Sequence, residues 1–289
     1  MTTGFKRTIL VSAPKRSGGS LLTRLFDNHP GVIDFIDEAF FWEHAYRYHD
    51  GGLEQLFVDM FKVFSPQEIV ASLIDRQMLP WVDGTYRQVA PAAFELDMKF
   101  DRAVFAATIE ARQAGLASIC DVWNMLVEAY ALAMGYDFAN SHSVFLFGGD
   151  YGRAMLTAAR TLPDTRNIFI VRNPYYALES LKKSRSTRGE KVLHPINFIE
   201  SLSYYYFFWE NKEKILDKNT ILVRYEDLLV NTEENMRRVA DHVGVEFEEP
   251  ADLFKEVDHQ IDRHQPGKAH QEDFGVLAKD VAEENRHYS

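Results

Sequence analysis

The chain has 289 residues, 46% of them hydrophobic, and a net charge of −11. Its length and apolar content support one large α/β domain, or two small ones, with a core that needs no covalent staples. The acidic balance argues against a nucleic-acid partner, whose binding needs Lys and Arg clustered over a broad face. It leaves room for a nucleotide in a local basic pocket.

Thr8-Ile9-Leu10-Val11 reads as a short buried parallel strand. The basic turn Ala13 to Gly19, APKRSGG, follows, and then a helical pattern with Leu21, Leu22, Leu25 and Phe26 on one face. Strand, glycine-bearing basic turn and helix form the geometry of a phosphate cradle: backbone N–H groups and the helix dipole favour an anion there. The turn lacks a Lys directly before Ser20, so it is not the G-x-x-x-x-G-K-[ST] loop. Gly31 to Phe35 is a second short strand. Asp37-Glu38 then lead into an aromatic stretch with Phe40, Phe41, Trp42, Tyr46 and Tyr48.

Leu53, Leu56, Phe57, Met60, Phe61 and Phe64 recur at helical spacing. Ser65-Pro66-Gln67-Glu68 is a capping box that opens another helix, to about Met78. Pro80 to Phe100 is irregular. Asp101 to Ala114 and Asp121 to Met134 read as helices, the second stopped by Gly135. Residues 40–140 thus read as a helical insertion in a parallel α/β core.

The α/β rhythm returns with a strand at Ser143 to Phe147, a helix at Tyr151 to Leu162, a strand at Asn167 to Val171 and a helix opened by Pro174. Ser184 to His194 is polar and basic and is expected to be a mobile loop. Lys182, Lys183, Arg185, Arg188 and Lys191 make it the densest basic run in the chain, either a lid over a bound anion or a solvated loop. A long helix spans Pro195 to Leu216, a strand Thr220 to Val223, and a helix Thr232 to Val243, ended by Gly244. Strands alternating with helices imply a mostly parallel sheet with helices on both faces, and ligands of such sheets sit at the carboxyl ends of strands. The basic turn lies at such an end. Cys120 is the sole cysteine, which excludes an internal disulfide. With no N-terminal apolar leader, it favours a reducing, cytoplasmic setting. No apolar run approaches the ~18–20 residues that span a bilayer.

Three stretches together resemble the sulfotransferase family. Pro14, Arg16, Ser17, Gly18, Gly19 and Ser20 are similar to its phosphosulfate loop, P-[KR]-[ST]-G-[TS]-[TS], with Lys15 as an extra residue and Gly19 in place of a common hydroxyl. Ile168 to Arg185 is similar to its strand, R-[DN]-P and serine motif: Arg172 ends the strand, Pro174 starts the helix, and Ser180 stands eight residues after the arginine. Leu222 to Val245 resembles its V-R-Y-E-D-L strand and helix, in which Tyr225, Glu226 and Asp227 fix a strand-to-helix corner.

The resemblance implies a central parallel β-sheet flanked by helices, the P-loop NTPase-like sulfotransferase fold. It implies a single domain over 1–289, with the helical insertion of about 40–140 on the acceptor side. It further implies transfer of a sulfuryl group from 3′-phosphoadenosine 5′-phosphosulfate (PAPS) to a hydroxyl or amine of a small-molecule, carbohydrate or lipid acceptor. The other product is adenosine 3′,5′-bisphosphate, and no metal takes part. Lys15, Arg16, Ser17, Gly18, Gly19, Ser20 and Leu21 would hold the 5′-phosphosulfate, and Arg172 and Ser180 the 3′-phosphate. Arg263 and Lys268 are the best candidates for the family's C-terminal basic loop. Arg16 aligns with the leaving-group cation, with Lys15 as its competitor. Glu38 aligns with the base, with Asp37, Glu43 and His44 as rivals. Anchored Golgi relatives carry a membrane span, so the lack of one implies a soluble form. Oligomeric state stays open, a homo-oligomer included.

The family's Lys-x-Pro is missing: Phe147-Gly148-Gly149-Asp150-Tyr151 stands in its place. Trp42, Tyr46, Trp123, Tyr130 and Trp209 are candidates for an acceptor pocket, although aromatics at helical spacing more often build core. Two rival functions stand beside the transferase. One is a P-loop kinase, which would need Asp34 or Asp150 as a magnesium ligand. The other is a catalytically silent nucleotide-binding protein of the same fold.

Overall fold

In a computed structural model of the protein, the described residues are 6–24, 29–38, 100–148, 164–187 and 195–248. Phe26, Gln67, Glu68, Ala71, Ala159 and Leu162 are isolated positions besides. The chain divides into a unit Met1–Pro250 and a unit Ala251–Ser289, and the second lies outside the described residues. In chain order the elements are β1 (Thr8–Ala13), α1 (Gly19–Arg24), β2 (Val32–Glu38), α2 (Arg102–Arg112), α3 (Ile119–Met134), β3 (His142–Gly148) and β4 (Thr165–Val171). They continue with α4 (Pro174–Thr187), α5 (Pro195–Ile215), β5 (Thr220–Arg224), α6 (Tyr225–Val230) and α7 (Thr232–Val243).

The five strands form one parallel sheet in the order β2-β3-β1-β4-β5. β1 is central and buried along its whole length. A strand covered on both faces must be apolar throughout, and Ile9, Leu10 and Val11 are fully buried. The chain leaves β1 for β2 on one side and later crosses to β4 on the other. The carboxyl end of β1 is therefore the topological switch point where α/β sheets open a crevice.

The helices begin where their caps dictate. The Asp101 carboxylate accepts from the N–H groups of Ala103 (2.9 Å) and Val104 (3.1 Å). Ser118 and Asp121 form a reciprocal capping box, so α3 starts two residues before the expected Asp121. Gly135 and Gly244 end α3 and α7 at φ 80° and 79°, a backbone state that favours glycine. β2 runs past Phe35 to Glu38 through a register shift between those residues. α4 continues to Thr187, past the expected loop start at Ser184: Ser184 to Thr187 holds no glycine or proline to stop a growing helix.

The core joins Leu10, Ile33, Phe169 and Phe208 of the sheet and α5 to Trp123 and Tyr130 of α3. The Phe169 and Phe208 rings stack at 4.3 Å. Trp123 and Tyr130, candidates for the acceptor pocket, are 1% and 2% exposed and belong to this core. Their size is spent on packing, at the helical spacing that core residues share. Trp209 is 66% exposed and lies under the Lys212 ammonium, 4.1 Å from the ring centre. Trp42 and Tyr46, the helices expected at 53–64 and from Pro66, and most of the helix expected at Tyr151 to Leu162 lie outside the described residues.

Candidate active site

The turn after β1 carries an unusual backbone. Ser17 N–H donates to the Pro14 carbonyl at 2.9 Å, closing a four-residue turn with Lys15 and Arg16 in the middle. Arg16, the third residue, has φ 65°. That position of such a turn normally takes glycine, and the left-handed region costs an ordinary L-residue roughly 1–2 kcal/mol. Gly18 follows at φ 97°, and a Cβ there would overlap the Tyr225 ring. Leu22 N–H donates to the Gly18 carbonyl at 3.0 Å and starts α1, with Gly19 as its first residue. Ser17 and Gly19 are buried, Gly18 and Lys15 half-buried, and Arg16 exposed. Leu21 turns its side chain into the core, which leaves its backbone N–H as its means of touching a ligand. Of Ser20 only the backbone, in the first turn of α1, is described.

Three distant elements grip this turn. Arg172, directly after β4, donates from Nη1 to the Arg16 carbonyl at 2.8 Å. Its guanidinium lies over the Tyr225 ring at 4.4 Å, and the residue is 6% exposed. Arg172 Nε is buried with no hydrogen-bond partner among the described residues. Burial lowers the Arg172 pKa, against the pull of Tyr225, Glu226, Tyr205 and Glu179, and an arginine so placed stays charged. From α4, the Ser180 hydroxyl accepts from Arg16 Nε at 3.2 Å. From α5, the Tyr205 hydroxyl is 3.1 Å from Ser17 Oγ. Burial raises the Tyr205 pKa, the Ser17 bond opposes the rise, and the phenol stays neutral. Glu226, at the start of α6, accepts the Asn173 N–H at 2.8 Å and fixes the corner between β4 and α4.

The structure therefore brings together Lys15, Arg16, Ser17, Gly18, Gly19, Ser20, Arg172 and Ser180. Arg16, aligned with the leaving-group cation, reaches Ser180. Arg172, expected on a phosphate, reaches a backbone carbonyl beneath the turn. Glu38 and Asp37 sit at the carboxyl end of β2, where the register shift falls. The Glu38 backbone is level with Leu146 of β3, which pairs with Val11 of β1. Glu43, His44, Arg188, Lys191, Arg263 and Lys268 lie outside the described residues. Sequence patterns missed Tyr205. Tyr204, Tyr205 and Tyr206 point about 100° apart around α5, so only the folded contacts reveal which of them meets the turn.

Chemically, this is a donor-rich turn at the switch point of a parallel α/β sheet. The sequence profile of the sulfotransferase family matches residues 8–249. The chain belongs to that family, and it is a sulfotransferase. Its kinase-like alternative does not fit that membership.

No curated protein matches the chain. Among solved structures, the sulfotransferase domain from the curacin biosynthetic pathway is similar at 17% identity and a TM-score of 0.47, covering 86% of this chain and 76% of that one. The sulfotransferase domain of the Synechococcus PCC 7002 olefin synthase is similar at 16% and 0.48, covering 88% and 80%. A retinol dehydratase solved in complex with androsterone and the inactive cofactor PAP is similar at 16% and 0.34, covering 88% and 64%. Family membership rests on the match over residues 8–249, not on these distant structures. Among the described residues, no group of His, Cys, Asp and Glu could hold a metal ion, and no helix is long and apolar enough to cross a membrane.

Proposed function

We propose that the protein moves a sulfuryl group from PAPS to a hydroxyl or amine of a small-molecule, carbohydrate or lipid acceptor, in the cytoplasm and without a metal. One observation carries this reading: Arg16, Ser180 and Arg172 meet at the turn after β1, through bonds of 3.2 and 2.8 Å between residues 164 and 156 positions apart. The donor set suits a bisphosphorylated nucleotide. Two arginines, a lysine, a hydroxyl and the turn's N–H groups gather at one turn, and Arg172 adds a buried donor that has no hydrogen-bond partner among the described residues. Such an excess of buried and half-buried donors favours an anion.

In the reaction the acceptor oxygen or nitrogen forms a bond to sulfur while the bond from sulfur to the donor's phosphate oxygen breaks. This chain's residues have three tasks. The turn N–H groups, with Lys15 and Arg16, hold the phosphosulfate and offset charge on the leaving oxygen. Ser180 and an arginine hold the second phosphate. A carboxylate takes the acceptor proton, and Glu38 is our choice. Its backbone stands at the carboxyl end of β2, two strands and roughly 10 Å from β1, which leaves room for an acceptor between. Strand irregularities like the one before Glu38 often re-aim side chains beside active sites.

Calorimetry with adenosine 3′,5′-bisphosphate in the absence of magnesium tests the donor half, and sulfuryl transfer from PAPS across an acceptor panel tests the rest. Magnesium-free binding together with transfer supports the proposal. Magnesium-dependent ATP binding in place of bisphosphate binding would sink it. Bisphosphate binding without transfer to any acceptor would leave the catalytically silent alternative.

A further inference from the structure

We propose that Tyr205 of α5 is a positioning residue for the 5′-phosphate end of the donor. Through Ser17 it holds the turn after β1 in the shape that aims the turn's N–H groups at that phosphate. This rests on the proposed donor being a nucleotide with a 5′-phosphosulfate. α5 presents three successive tyrosines, and the fold uses each differently. Tyr204 is buried in the core and Tyr206 is exposed. Tyr205 is half-buried, with its hydroxyl 3.1 Å from Ser17 Oγ. Burial raises the Tyr205 pKa and keeps the phenol protonated, able to donate to Ser17 Oγ.

Ser17 is the place where a hold from α5 controls the most. Arg16 before it has φ 65° and Gly18 after it φ 97°. Backbone turned in this way makes successive N–H groups converge into a concavity for an anion. A left-handed non-glycine residue persists only where its surroundings hold it. The peptide between Arg16 and Ser17 is held on both sides: Arg172 Nη1 donates to its carbonyl at 2.8 Å, and its N–H donates to the Pro14 carbonyl at 2.9 Å. The next two peptides carry the Gly18 and Gly19 N–H groups. Tyr205 fixes the buried Ser17 side chain, and with it the direction in which the chain leaves Ser17 toward those groups. A hydroxyl pair that served packing alone would stabilise the fold without favouring either end of a bound nucleotide.

The test compares affinities of the full chain for adenosine 3′,5′-bisphosphate and adenosine 3′-monophosphate by calorimetry without magnesium. The two ligands share the second phosphate and differ only in the one that the turn would hold. Wild type should prefer the bisphosphate by roughly 10- to 100-fold, the worth of charge-assisted bonds to one phosphate. Tyr205→Phe keeps the ring and removes the hydroxyl. It should cut that preference by roughly 5- to 10-fold, the worth of one hydrogen bond, and leave the monophosphate affinity within about twofold of wild type. Ser17→Ala should cut the preference by a similar factor. Adding Tyr205→Phe to Ser17→Ala should lower it by no more than about twofold further, because one residue acts through the other. A preference kept in Tyr205→Phe overturns the inference, as does a loss that falls equally on both ligands or a double variant whose losses add. Those outcomes leave the donor reading standing, since wild type still prefers the bisphosphate. Failure of wild type to bind either nucleotide overturns the donor reading itself, and with it this inference.

Discussion

The two ends of the sheet are built from similar residues to opposite ends. At the amino end, cations are closed off by the protein. Arg7 lies 3.3 Å from Asp164 and donates to the Val243 carbonyl at 3.1 Å. Arg166 donates to the Asn219 side chain at 3.0 Å, and His242 lies 3.1 Å from the Asn219 carbonyl. At the carboxyl end the cations meet hydroxyls and a backbone carbonyl: Arg16 on Ser180, Arg172 on the Arg16 carbonyl. Charge neutralised inside the fold serves stability. Charge bonded to a hydroxyl and a carbonyl still attracts an anion from outside, even with Glu226 and Glu179 acting on Arg172. The comparison therefore predicts that substitutions at the carboxyl end cost activity, and that those at the amino end and in the core between cost stability.

The largest effect belongs to the proposed base. Glu38→Gln should lower the rate of transfer by about 10²- to 10⁴-fold, the usual contribution of a positioned proton acceptor, while the urea midpoint stays near wild type. Full activity of this variant across pH would move the role to Asp37 or His44. Next comes the cation on the leaving oxygen. Lys15→Ala should cost on the order of 10²–10³ in kcat with a smaller change in donor affinity, since the charge it offsets develops in the transition state. Arg16→Ala should show the same split, since Arg16 is the other cation proposed for that oxygen. A variant that lost donor affinity as much as kcat would take its cation off the leaving oxygen.

What sequence made legible was local. The strand, the basic turn and the short helix after it can be read from residues 8–26, because a phosphate cradle is a contiguous device. The strand ending in Arg172 and the corner at Tyr225 to Asp227 are equally local, and both lie where expected. Arg16 could not be read the same way. Nothing in P-K-R-S announces a left-handed arginine, since the conformation is held by a guanidinium 156 positions away. Tyr205 was hidden for the same reason, with a partner 188 positions away. The aromatics of α3 were open to two readings by sequence, pocket or core. Trp123 and Tyr130 look like pocket residues by type, and only their burial shows that they pack the core.

That correction has its own test. Trp123→Ala removes one of the largest fully buried side chains and should cost about 3–5 kcal/mol of stability. Activity per folded molecule and the acceptor KM should stay near wild type at a temperature where the variant is folded. A rise in acceptor KM larger than the loss of folded protein would return Trp123 to the acceptor pocket.

The smallest effect is a pH dependence confined to the amino end. Burial lowers the pKa of His142, and Arg7 and Lys6 lower it further. Burial also lowers that of His242, with the Asn219 and Asn167 carbonyls opposing and Arg166 and Arg7 adding to the fall. Both folded-state values thus lie below the unfolded value of about 6.5. The folded protein holds these rings neutral, so as pH falls through about 6.5 the unfolded chain takes up protons that the folded one refuses. Stability is then lost with falling pH, by at most about 1.4 kcal/mol per pH unit for each proton, until the folded rings also titrate. Urea midpoints measured from pH 7.5 down to 5.5 should fall less steeply in His242→Gln than in wild type, and less steeply still when His142→Asn is added. Donor affinity at a fixed pH should not follow that change, because these rings sit at the end of the sheet away from the turn. An unchanged slope, or a donor affinity that moved with it, would break the separation of the two ends.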